Sequence, residues 1–298
     1  SRAEKTTIEN CTINTVGVIK DLNEGIIYDI VYKPDDAVGA KYAWVALGYG
    51  VATEEDLHAA ITNGEDSIVL VDDITLSDAP ITVPANEEVV IDLGGNKLKG
   101  ISTSSTSSNL IKVPANATLT LKNGTVSFGA TTPDTNWGGE GQPAFPGYAN
   151  NTINCSGTLI IDSATVENVT AKGGASYAID CYPGANLTIN DGTVSGIDKI
   201  AIRTFANSGT TPINVTINGG TVSGYRAIWV QLPSSNETVA PVVNVNINGG
   251  TLISTDDKYN NLSFNDTSIS EIYSIDTLFL RQQLRRNNYQ RQGRNYCR

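Results

Sequence analysis

The sequence predicts an all-β chain wound into a solenoid with three short strands per coil, and three observations carry that prediction. The first is composition. Of 298 residues only 17% are charged and 40% are hydrophobic, with 28 glycines, no methionine and abundant Thr, Asn, Ser, Val and Ile, which is the palette of strands joined by tight turns. The second is repetition: LTINDGTVSG at 187–196 returns as VTINGGTVSG at 215–224 and as VNINGGTLIS at 245–254. A repeat of this length cannot bury its own apolar face and has to stack on its neighbours. The third is periodicity. Inside each copy the apolar residues recur at every second position, the spacing of a strand and not of a helix.

Residues 1–51 lack the period and read as a small β segment or linker. GVIKDLNEGIIYDIVYK and AKYAWVALGYG look like strands, and IENCTINTVGVI at 8–19 resembles a stray coil. A short helix is expected over 54–64, capped by Thr53 through the backbone of Glu54, Glu55 and Asp56, with Leu57 and Ile61 on one apolar face to plug the open end of the tube. The solenoid itself is expected over 52–255. Apolar doublets mark its coils: Ile91/Leu93, Leu119/Leu121, Leu159/Ile161, Leu187/Ile189, Val215/Ile217 and Val245/Ile247, with starts spaced 28, 40, 28, 28 and 30 residues. Thr120, Thr188, Thr216 and Asn246 lie between doublet members and face outward. Glycines 124, 192, 220 and 250 then turn the chain with positive φ. A second short strand follows, with Val126, Val166, Val194, Val222 and Leu252 inward. The third strand precedes each doublet, as LIKV at 110–113, TINC at 152–155, AIDC at 178–181, AIRT at 201–204 and AIWV at 227–230. Residues 256–298 read as a terminal coil passing into a basic tail, where Leu278, Leu280 and Leu284 of an amphipathic helix at 277–288 are placed to close the far end.

These coils, with the lead-in ATEEDLHAAITNGEDSIVLVDDITL followed by ITVPANEEVVIDLGGNKLKG, resemble the pectin-lyase-like right-handed parallel β-helices of bacterial secreted and surface proteins and of phage fibres. The resemblance covers about 52–255 and implies an extracellular, cell-surface or virion location. It leaves activity open, because lyases, hydrolases, adhesins and passive stalks share the architecture. Polygalacturonase-like members carry Asn-Thr-Asp, Gly-His-Gly and Arg-Ile-Lys, and none of these strings occurs here. Pectate-lyase-like members hold Ca²⁺ with clustered carboxylates beside a basic residue that abstracts a proton. The Asp pairs at 35–36, 72–73 and 256–257 lie outside the central coils, with no such base. No cofactor is expected, and Ca²⁺ enters only if the chain is a lyase.

The outward row of the third strand offers the first candidate site. If Ile111, Ile153, Ile179, Ile202 and Ile228 stack inward, then Lys112, Asn154, Asp180, Arg203 and Trp229 stack outward, about 4.8 Å apart. Asp180 and Arg203 are then either a substrate clamp with Trp229 as a platform for a sugar ring, or a surface ion pair beside a ring that covers apolar wall. The second candidate is the long interruption at 129–150, whose Trp137, Phe145 and Tyr148, near Asp134 and Glu140, suit carbohydrate or fold back onto the tube. His58, the only histidine, sits on the capping helix and reads as a surface residue. Cys155 and Cys181 occupy matching positions of adjacent coils, within disulfide range, yet also suited to buried thiols. Of eleven Asn-x-Ser/Thr triplets, several fall in turns that favour Asn for geometry alone.

Charge narrows the partners. All 31 acidic residues lie at or before Asp276, which leaves the first 276 residues at −17 and the remaining 22, with six arginines, at +6. Such a body repels nucleic acid. The tail suits an acidic partner or membrane surface, or is a solvated terminus. No apolar run reaches the roughly 18 residues of a membrane span. The expected function is therefore a non-enzymatic extracellular or virion-surface module for structure and adhesion that recognises a glycan and is open to oligomerisation. The runner-up is a polysaccharide lyase or glycoside hydrolase with degenerate motifs. An ice-binding face is a third reading, from the outward rows Thr125/Ser127, Thr193/Ser195 and Thr221/Ser223.

Overall fold

The structure is a computed structural model that describes residues 19–20, 25–32, 42–77, 80–102, 108–130, 150–170, 176–205, 211–231, 242–255 and 262–264. Among them the chain is all-β with one helix. Strands from Tyr42–Val51 onward pair in parallel, and their pairings resolve into three ladders.

The first ladder runs through Ser67–Leu70, Glu88–Asp92, Thr118–Lys122, the start of Thr158–Asn168, the start of Asn186–Phe205, Ile213–Ile217 and Val243–Ile247. It stacks Val89, Leu119, Leu159, Leu187, Val215 and Val245 in one row, and Ile91, Leu121, Ile161, Ile189, Ile217 and Ile247 in the next, all buried. The second ladder aligns Ile74, Leu98, Val126, Val166, Val194, Val222 and Leu252. The third aligns Ile81, Ile111, Ile153, Ile179, Ile202 and Ile228. These rows form a single apolar core, and fully burying each such side chain contributes about 1.5–3 kcal/mol before chain entropy is counted.

One expected register is corrected. Leu119/Leu121 pair with Val89/Ile91, not Ile91/Leu93, so the first spacing is 30 residues. A slip of two keeps every side chain on its face, and alternation alone cannot detect it. Leu93 is still fully buried, but at the turn. There a Cβ on Gly124 would lie 2.4 Å from the Cβ of Leu93. Gly124 is thus required by close approach, and the left-handed residue of that turn is Asn123, at φ 53°. Gly192, Gly220 and Gly250 do take positive φ, as expected.

Two columns of asparagine amides tie the later coils together. Asn244 donates to Asn214 and Asn214 to Asn186, at 2.8 and 2.7 Å, while Asn248 donates to Asn218 and Asn218 to Asn190, at 2.8 and 3.0 Å. Parallel in-register stacking brings like amides to hydrogen-bond distance, which explains part of the Asn-rich composition.

At the N-terminal end, the helix spans Glu54–Thr62 and the Thr53 hydroxyl accepts from Asp56 N at 3.1 Å. Leu57, Ala60 and Ile61 are buried against the core. Upstream, Ile26–Tyr32 and Tyr42–Val51 form an antiparallel pair, and Tyr49–Val51 join the first ladder beside Ile68–Leu70. The expected helix at 277–288 lies outside the described residues.

Candidate functional site

The third ladder brings the predicted row together. Lys112, Asn154, Asp180, Arg203 and Trp229 are register partners on successive strands, because each follows an inward isoleucine by one position. Their burial differs from expectation. Asp180 is fully buried and Trp229 is 6% exposed, while the Arg203 side chain is 11% exposed. This is neither a surface ion pair nor an open aromatic platform. Aromatic side chains and amides from neighbouring positions cover Asp180, Arg203 and Trp229, whereas Lys112 is exposed and Asn154 half-buried.

Arg203 meets Asp180 as a two-pronged fork: Nε donates to Oδ1 at 2.7 Å and Nη2 to Oδ2 at 2.6 Å. Asn151 Nδ2 donates to the same Oδ2 at 2.9 Å. The outer nitrogens of Arg203 reach further, Nη1 to Gln231 Oε1 at 3.1 Å and Nη2 to the Tyr182 hydroxyl at 3.4 Å. The guanidinium carbon lies 4.2 Å from the ring centre of Tyr177, 4.7 Å from that of Phe205 and 6.0 Å from that of Tyr182, so three rings and one carboxylate enclose the cation. Tyr182 and Phe205 meet edge to face at 5.8 Å.

The electrostatics follow from this enclosure. Burial works against the charge of Arg203, but the hydrogen bonds and charge of Asp180 outweigh it and hold the guanidinium above its ordinary pKa. Burial pushes the phenols of Tyr177 and Tyr182 up to about 12. A guanidinium so held keeps its proton, and the carboxylate beside it is committed to three hydrogen bonds. The pair braces two strands, with its carboxylate fully buried.

The remaining candidates separate. Trp137, Phe145 and Tyr148, with Asp134 and Glu140, lie outside the described residues. Cys155 and Cys181 are register partners, and in this structure both are buried and free. Burial raises the Cys155 thiol to about 12 and holds that of Cys181 well above its ordinary value. His58 stays on the helix, 3.9 Å from Glu54. Among the described residues no group of three or more His, Cys, Asp or Glu is placed to hold a metal ion, and no helix is long and apolar enough to cross a membrane.

Sequence reasoning missed Asn151, Tyr177, Tyr182, Phe205 and Gln231. Three of them carry a readable signal: Tyr182, Phe205 and Gln231 stand two residues beyond Asp180, Arg203 and Trp229, so one further step of the alternation places them on the same face. All three are partly exposed. They form the accessible margin of a face whose centre is closed.

Compared with known proteins, the chain matches no family model, no curated protein and no solved structure.

Proposed function

We propose that the chain is a right-handed parallel β-helix with three strands per coil, acting outside the cell or on a virion surface as a non-enzymatic module for structure and adhesion, with a glycan as its ligand. One observation carries the non-enzymatic part: Asp180 and Arg203, an acid and a base on neighbouring strands of the third ladder, are locked to each other at 2.6 and 2.7 Å, and the exposed pair Asp73 and Lys99 is likewise joined at 2.9 Å. The scaffold reading is supported by three parallel ladders in register over successive repeats, an arrangement whose stability sums over neighbouring coils. The glycan reading is supported by the partly exposed rings of Tyr182 and Phe205 beside an amide and a guanidinium edge. Rings of this kind stack on the CH faces of sugars, while polar groups nearby fix orientation.

The test is incubation of the chain with pectin, alginate and chondroitin, with and without Ca²⁺, in parallel with a glycan-array screen. Retention on the array with no unsaturated sugar product supports the module. Steady product release that vanishes in Arg203→Ala favours the lyase.

A further inference from the structure

The hydrogen bonds at the margin of the third ladder specify what a ligand must offer. An arginine side chain has five N–H donors and no acceptor. In Arg203, Nε serves Asp180, Nη2 serves Asp180 and Tyr182, and Nη1 serves Gln231. Because arginine can only donate, the oxygen of the Gln231 amide must be the atom facing it. The Gln231 Nε2 therefore points its two N–H groups away from the brace. Donors gather at this spot, and the acceptors of Asp180 are already engaged by Arg203 and Asn151.

Charge then selects among ligands rich in acceptors. Carboxylates and sulfates are strong acceptors, yet the Arg203 charge is already paired with Asp180 and the first 276 residues carry −17, so the overall field of the body disfavours an anionic glycan despite Arg226 over the neighbouring Trp229 ring. Among uncharged sugar substituents the amide carbonyl of an acetamido group is an acceptor without a competing hydroxyl donor, and its methyl group suits the Tyr182 and Phe205 rings. Resting on the glycan reading above, we infer that Gln231, Arg203, Tyr182 and Phe205 form a subsite for an uncharged N-acetylated hexosamine.

Titration calorimetry on the whole chain tests this, with three tetrasaccharide probes: the β-1,4 oligomer of N-acetylglucosamine, the matching oligomer of glucose, and oligogalacturonate. The subsite predicts that the N-acetylated oligomer binds about tenfold or more tighter than its glucose counterpart, the magnitude of one good hydrogen bond with its apolar contact, and that oligogalacturonate binds weakest. Gln231→Ala and Phe205→Ala should each remove most of that margin without lowering the melting temperature by more than a few degrees. Equal affinity for the first two probes, or preference for the uronate, overturns the subsite while leaving the glycan module standing. Wild-type preference for the N-acetylated oligomer that survives both substitutions places recognition elsewhere and overturns it too. Absence of binding to all three probes and to every glycan on the array removes the glycan reading itself.

Discussion

Replacing Asp180 with alanine isolates the energetic role of the brace. The carboxylate is fully buried and, among the described residues, is the only acidic partner of an Arg203 side chain that is 11% exposed. Its removal leaves a largely desolvated guanidinium among the rings of Tyr177 and Phe205, and the Asn151 amide without its acceptor. Breaking a buried pair from one side costs about 3–5 kcal/mol, and at roughly 2–4 °C per kcal/mol in a large domain the melting temperature should fall by on the order of 10 °C. Arg203→Ala should cost a similar amount, because it strands the buried carboxylate. The double replacement Asp180→Ala with Arg203→Ala should be much less damaging than the sum of the two single losses, since no charge then remains buried. Urea unfolding followed by far-ultraviolet circular dichroism for the four proteins gives the coupling energy directly. Additive single losses, or a loss below about 1 kcal/mol for Asp180→Ala, would refute the brace and return the pair to an exposed contact.

Other expectations follow from the same geometry. Ile189→Asp places an unpaired carboxylate in a fully buried row and should lower stability by several kcal/mol; an unchanged melting temperature would mean that the inward register is wrong. Asn214→Ala cuts the middle of an amide column and should cost about 1–2 kcal/mol, measured by the same unfolding curves. Cys155 and Cys181 should resist iodoacetamide at pH 8 in the native chain and react at once in denaturant, counted by mass spectrometry. Stability should decline between about pH 9 and 12. Cys155, Tyr177 and Tyr182 keep their protons to about 12 when folded, against ordinary values of 9.0, 10.0 and 10.0, so the unfolded chain binds fewer protons in that window and gains as pH rises. A flat urea midpoint across that range would contradict their burial.

Much of the fold was legible because burial in a repeat is written at fixed intervals. The rows through Leu119, Leu159 and Leu187, through Val126, Val166 and Val194, and through Ile153, Ile179 and Ile202 follow from period-2 alternation and the return of LTINDGTVSG alone. The slip at Val89/Ile91 was not legible, because alternation is unchanged by a shift of two. The exchange of roles between Asn123 and Gly124 was hidden as well: Asn-Gly turns the chain whichever residue is left-handed, and only the packing against Leu93 decides. For the site, the sequence placed Asp180 beside Arg203 and Trp229, since all three share one register. It could not show their burial, which depends on Tyr177, Tyr182 and Asn151 closing over them from positions outside the strand signature. The site's polarity was therefore visible in the residues, and its closed state was a property of packing.

The outward face exists only if the coils stack in register, and a distance between spin labels tests that stacking most directly. Thr125, Thr165, Thr193, Thr221 and Thr251 are successive partners on the second ladder. Labels at Thr125→Cys and Thr251→Cys, in a chain with Cys11 and Cys297 replaced by serine, should thus be separated by four strand spacings of about 4.8 Å, or about 19 Å, broadened by the label tethers. Pulsed electron resonance should return one narrow distribution near that value. A broad distribution, or a mean beyond about 35 Å, would show that these repeats do not stack as parallel neighbours.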